Sequence, residues 1–216
     1  GGYIVVGFDH SIPATSLEYD FVIQGNPTET SNEPGIVWVM QDVNGNGLPD
    51  DEWYQLRGSE DQYRTTYRFY DITYFRTPLY SDIYWTTGRD TQGVVSYLPE
   101  FHNQLTYYPA WINADSYTLY GTYITPSRTL IDSSGILVNG AYPWGYADNL
   151  GSDTVEGYPS GCTGFKISNA MNSAKESVSL LYIDFIKVQT AILEENGSLG
   201  ELSTEVLSFS QYSLPQ

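Results

Sequence analysis

Residues 35–52 constrain the fold more than any other stretch. Gly35-Ile-Val-Trp-Val-Met-Gln41 is a continuous β-rich apolar run, the pattern of a strand buried on both faces. It feeds directly into Asp-Val-Asn-Gly-Asn-Gly-Leu-Pro-Asp-Asp-Glu at 42–52. Oxygen-bearing side chains stand at every second place at Asp42, Asn44 and Asn46, with Asp50 after them, and Gly47 occupies the sixth place, where a calcium loop turns sharply. A hard cation takes six to eight oxygens, so these side chains, the Leu48 carbonyl and a later carboxylate would wrap calcium without any soft ligand. The twelfth place is Trp53 rather than the bidentate Glu of an EF-hand, which leaves Asp51 or Glu52 to close the site. No amphipathic helix precedes the loop, so the EF-hand fold is excluded. The alternative is a metal-free hairpin turn, since Asn-Gly is also a strong hairpin signal. A plain turn has no need of so many acid and amide side chains in register, which favours calcium.

Twenty Tyr and five Trp argue for β architecture with broad aromatic surfaces. The 216 residues suit one domain, 1–216. A formal charge of −17 repels phosphate backbones and anionic membranes, so nucleic acid is not an expected partner. Cys162 stands alone, which excludes an intrachain disulfide and a cysteine metal site. A calcium loop without a regulatory helix pair suits a compartment where calcium is plentiful, outside the cell. Gly1-Gly2 leads straight into a strand, as if a preceding segment had been removed.

Strands are predicted over 3–8, 20–24, 36–41, 53–56, 83–86 and 117–124, and over 63–74 with some irregularity. The range 178–191 holds the most apolar strand of the C-terminal half, with Asp184 or Lys187 expected near an end or paired. Residues 88–113 read as a long ordered insertion, residues 127–158 as turn-rich loops with packed aromatics, and the tail from Ser203 as polar. The expected fold is all-β: a jelly-roll-like antiparallel β-sandwich with long aromatic-rich loops and a calcium loop between strands.

Several stretches resemble secreted Bacteroidetes cell-surface proteins: the opening Gly-Gly-Tyr-Ile-Val-Val-Gly-Phe-Asp-His10, Asp20-Phe-Val-Ile-Gln-Gly-Asn26, Glu33-Pro-Gly-Ile-Val-Trp-Val-Met40 and the Asn-Gly-Asn-Gly loop. Tyr108-Pro-Ala-Trp111, Gly145-Tyr-Ala-Asp-Asn149 and Ile183-Asp-Phe-Ile-Lys-Val-Gln-Thr190 extend the likeness over nearly the whole chain. A looser similarity reaches galactose-binding-like jelly rolls. The resemblance implies an exported, outer-membrane-anchored β-sandwich of the kind that captures glycans or other nutrients, cobamides included, beside an outer-membrane uptake partner.

Neither histidine, His10 or His102, lies in a nucleophile elbow, a metalloprotease pair or a cysteine-centred signature. Trp and Tyr offer a ring face and a hydrogen-bonding tip to sugars and other amphipathic ligands, which makes Tyr108, Trp111, Trp144 and Tyr146 the candidate ligand residues, with His102 beside them. Asp148, Asn149 and Asp153 form a second oxygen cluster, read either as Asx-capped turns or as a further cation site. The leading expectation is a calcium-stabilised surface module that captures a ligand without catalysis. A glycan-active hydrolase or lyase and a structural or adhesive domain are the alternatives.

Overall fold

The apolar run after Pro34 becomes β3 (Gly35–Met40), and the chain is assembled around it. In this computed structural model, residues 2–100, 103–126, 129–133, 137–195, 200 and 202–214 are described. β3 pairs with β13 (Tyr182–Thr190) on one side and β4 (Trp53–Leu56) on the other. β1 (Tyr3–Pro13) and β12 (Ala170–Met171) complete a five-stranded sheet in the order β1-β13-β3-β4-β12. Three strands, β11 (Cys162–Phe165), β2 (Phe21–Gln24) and β14 (Ser208–Gln211), form a second sheet. Phe21, Ile23 and Phe165 meet Val37, Val39, Ile186 and Val188 in one buried cluster, and the Phe21 and Phe165 rings stack with centroids 5.3 Å apart.

Successive residues of a strand point to opposite faces. Ile36 and Trp38 therefore join a different cluster, with Ile124, Tyr142, Tyr146 and Ala191, which explains why β3 carries no polar position. A four-stranded sheet follows the order β7-β6-β5-β8, from β7 (Gln92–Val95), β6 (Ile83–Thr87), β5 (Tyr67–Phe75) and β8 (Ser116–Tyr123). Thr122 ties it to the five-stranded sheet: its hydroxyl donates to Gln55 Oε1 at 2.6 Å and its N–H to Gln189 Oε1 at 3.1 Å. All named strand pairs are antiparallel, including the small ribbon of β9 (Thr129–Ile131) and β10 (Leu137–Asn139). The protein is an all-β sandwich, as its composition and periodicity predict, with two short 3₁₀ turns at Ser59–Gln62 and Ile167–Asn169.

Three stretches also hold strands beyond those predicted from the sequence. The region 88–113 is not wholly irregular, because β7 pairs with β6 there. The turn-rich stretch 127–158 contains β9 and β10. The polar tail supplies β14, whose alternation is weak because it is an edge strand with most of its residues exposed.

Candidate ligand-binding cleft

The irregularity in 63–74 is a β-bulge. Arg68 pairs with Thr122 and Tyr70 with Gly121, so Phe69 is the extra residue, with φ of 57° and its ring exposed. An inserted residue shifts the alternation by one, and bulges commonly re-aim side chains next to functional sites. Here the shift brings Tyr67 onto the face that carries Tyr70, where an unbroken strand would put the two on opposite faces. Tyr123 stacks against both, with centroids 6.0 Å from Tyr67 and 5.2 Å from Tyr70. Trp85 of β6 adds an indole, and Gly93 opposite it leaves the space that ring occupies. These rings, with Arg89, Thr91, Thr125 and Leu193, line a cleft of about 520 Å³.

Arg89 sits on the tight turn between β6 and β7, and that turn is closed at three points. The Thr87 and Thr91 hydroxyls are 2.6 Å apart, Thr87 N–H donates to the Thr91 carbonyl at 2.9 Å, and Gly88 N–H donates to Asp71 Oδ2 at 2.9 Å. Asp90 holds φ of 58°, the left-handed residue that such three-residue hairpin loops need. The guanidinium lies 4.0 Å from the Tyr67 ring centroid, within cation–π range. Burial is the main cause that pushes the Tyr70 and Tyr123 hydroxyls above the usual phenol range, so both are neutral donors at physiological pH. The lining thus offers flat apolar faces, hydroxyls and one cation.

The aromatic residues expected to face a ligand are distributed differently. Tyr108 is 3% exposed, its hydroxyl donating to the Ala114 carbonyl at 2.8 Å and its ring under the Arg76 guanidinium. Tyr146 is 2% exposed, its hydroxyl accepting Glu60 N–H at 2.9 Å and its ring against Gly58. Both pack within the protein rather than facing solvent. Trp111 is 82% exposed. Trp144 borders a separate cleft of about 220 Å³ with Tyr19, Arg57, Asp153 and Lys166. His102 lies outside the described residues. Sequence reasoning missed Tyr67, Tyr70, Trp85, Arg89 and Tyr123; the signal available was the broken alternation between 67 and 70.

The loop at 42–52 curls as its spacing implies. Asp42 accepts the N–H groups of Gly45, Asn46 and Gly47 at 2.8–3.2 Å, and Gly45 and Gly47 take φ of 70° and 73°. The side-chain amides of Asn44 and Asn46 both reach the Asp50 carboxylate, and these bonds hold it below the usual carboxylate range. Asn44 and Asn46 therefore meet Asp50, while Asp42 caps the backbone of the turn. Asp51 instead braces the loop's first turn by accepting Val43 and Asn44 N–H, while Glu52 is engaged by the Tyr54 hydroxyl at 2.8 Å. Asp42 N–H donates to Asp184 Oδ2 at 2.8 Å and Ser11 Oγ to Asp184 Oδ1 at 2.6 Å, which fastens the loop to β13 and β1.

The second oxygen cluster disperses. Asn149 bonds Tyr142 backbone groups, and Asp153 Oδ2 accepts Gly145 N–H at 2.6 Å. Asp148 instead meets Glu33 and Glu205, with one carboxylate oxygen from each lying within 4.8 Å of the others. Burial, then the neighbouring Glu205 and Asp148, pushes Glu33 up to about 8; burial pushes Asp148 up to about 6. A proton or a divalent cation relieves such crowding. Compared with protein-family models and with curated proteins, the chain matches none.

Proposed function

We propose that this chain is a ligand-capture module of the cell surface that holds a glycan, or a nutrient of similar flat amphipathic shape, in the cleft of the four-stranded sheet. The observation that carries this reading is the bulge at Phe69, which places Tyr67 beside Tyr70 and Tyr123 in a walled cleft of about 520 Å³. Sugar rings present an apolar face edged with hydroxyls, and stacked tyrosines beside Thr91 and Thr125 answer both. Three hydrogen bonds fix the Arg89 turn in advance, so little ordering cost opposes binding. A cell-surface location beside an outer-membrane uptake partner belongs to the same reading and follows from the resemblance to Bacteroidetes surface proteins. A cobamide is the competing ligand.

Calcium at 42–50 is the structural half of the proposal. The donor set is all oxygen once the Asn44 and Asn46 amides turn their carbonyls inward, and hard oxygens are what calcium selects. Asp42, Asn44, Asn46 and Asp50 would hold the ion with the Leu48 carbonyl, while Asp51 supports the loop from behind. The loop's bond to Asp184 carries that restraint into two core strands.

Screening the calcium-loaded protein against glycans and cobamides by titration calorimetry tests the reading. Glycan binding that Trp85→Ala weakens at intact fold supports it. Binding that survives Trp85→Ala and Tyr67→Ala, or cobamide binding alone, overturns the glycan assignment.

A further inference from the structure

Among the described residues, the cleft contains a cation with no oxygen partner. Nine Lys and Arg stand against 26 Asp and Glu, so most cations are expected to be engaged within the chain. Arg57, Arg68, Arg76, Lys166 and Lys175 all donate to protein oxygens. Lys187 lies over the Trp38 and Trp53 rings, at 4.6 Å and 4.9 Å from their centroids. Arg128 is outside the described residues. There remain Arg64, on the exposed turn before β5, and Arg89, which lines the cleft. Among the described residues, no oxygen accepts from the Arg89 guanidinium, whose only close partner is the Tyr67 ring.

Three acids stand near this site. Asp71 is engaged by Gly88 N–H, Asp90 follows Arg89 on the turn, and Glu194 is close enough to Tyr123 to raise its hydroxyl further. None of them pairs with Arg89. A guanidinium stacked on an aromatic ring keeps its edge N–H groups free, and those groups form a planar fork matched to a carboxylate.

We infer that the cleft selects a carboxylated sugar, a uronic acid residue whose ring packs against Trp85 and the tyrosine-lined wall of the cleft while its carboxylate is held by Arg89. This deepens the glycan reading of the same cleft and rests on it. The overall charge of −17 repels any anion at long range, so a preference for the acidic sugar must come from a local contact. Arg89 supplies it.

The test compares trigalacturonate with its methyl ester, which has the same shape without the charge, and with a sulfated trisaccharide of similar size. Titrations use the calcium-loaded wild type, Arg89→Gln, Arg89→Lys and Trp85→Ala. Melting curves check each fold; Arg89 is exposed, so its variants are expected to fold. Wild type should prefer the acid over the ester by about tenfold or more, since charge-assisted hydrogen bonds of this kind are worth at least 1.4 kcal/mol. Arg89→Gln should abolish the preference; Arg89→Lys should retain only part of it. Trp85→Ala should weaken both ligands. Equal affinity of wild type for acid and ester, or a preference that survives Arg89→Gln, overturns the inference and leaves the glycan reading standing. Tighter binding of the sulfated sugar through Arg89 overturns the carboxylate assignment. Failure of all three sugars to bind wild type overturns the inference, while the glycan reading stands or falls by the wider glycan screen.

Discussion

Two aromatic groups of similar composition have opposite fates in this molecule. Tyr142 and Tyr146 pack edge to face, 5.6 Å between centroids, and close the space beside Ile36 of the central strand. Tyr67, Tyr70, Tyr123 and Trp85 stand on one face of the four-stranded sheet and wall an open cleft. Ring content does not separate them. What separates them is register: the first group is plugged by residues distant in sequence, whereas a single inserted residue collects the second around a gap. On the proposed reading, stability and recognition fall to different parts of the fold, and each assignment can be broken by experiment.

The largest effect is expected at the plugged group. Tyr146→Ala removes a buried ring and leaves Glu60 N–H without its acceptor, which should cost about 3–5 kcal/mol in a denaturant melt. Ligand affinity of the protein that remains folded should not change; a parallel loss of affinity would mean that the two regions are one unit. The 42–52 loop comes next. At free calcium one hundred times its dissociation constant, binding adds about 2.7 kcal/mol, so chelation should lower Tm by roughly 5–10 °C. Asp42→Ala should reproduce that drop and make the protein indifferent to chelator, with cleft affinity preserved. An unchanged melt with and without chelator would remove calcium from the account.

The smallest effect concerns pH. Glu33 and Asp148 have folded-state values raised to about 8 and about 6, so the folded protein keeps protons that the unfolded chain releases above the ordinary carboxyl range. Their contribution is complete below about pH 4 and is lost as pH rises through 6 and then 8. Glu33→Gln should flatten the decline between pH 5 and 8 and raise Tm at pH 8 by roughly 2–4 °C. Lys187, lowered to about 8 by burial, works in the opposite sense only above that pH. A wild-type decline that Glu33→Gln leaves intact would place its source elsewhere.

Much of the framework was legible in the sequence because it is locally encoded. An apolar run with no polar position reads as a central strand, and β3 is buried on both faces. At 42–50 the Asn44 amide reaches Asp50 and Asp42 accepts the Gly45 and Gly47 N–H groups, because a loop of alternating oxygens and glycines folds back on itself. Asp184 was expected near a strand end or paired, and it does bind the start of that loop. The cleft was not legible. The bulge at Phe69 depends on how β5 meets Thr122 and Gly121, a pairing between distant strands that no local propensity dictates. The burial of Tyr146 likewise depends on Glu60, 86 residues away. Aromatic density alone does not tell a ring that plugs the core from one that lines a cleft.

The central claim is that the cleft assembled by the Phe69 bulge is the recognition surface. The direct measurement is a titration of glycan ligand into wild type, Trp85→Ala and Trp144→Ala at matched fold. The account predicts that Trp85→Ala weakens binding by about 1–3 kcal/mol, the loss of an aromatic anchor, while Trp144→Ala, in the separate cleft, leaves affinity within a factor of two. The reverse pattern, with affinity lost in Trp144→Ala and kept in Trp85→Ala, would contradict it.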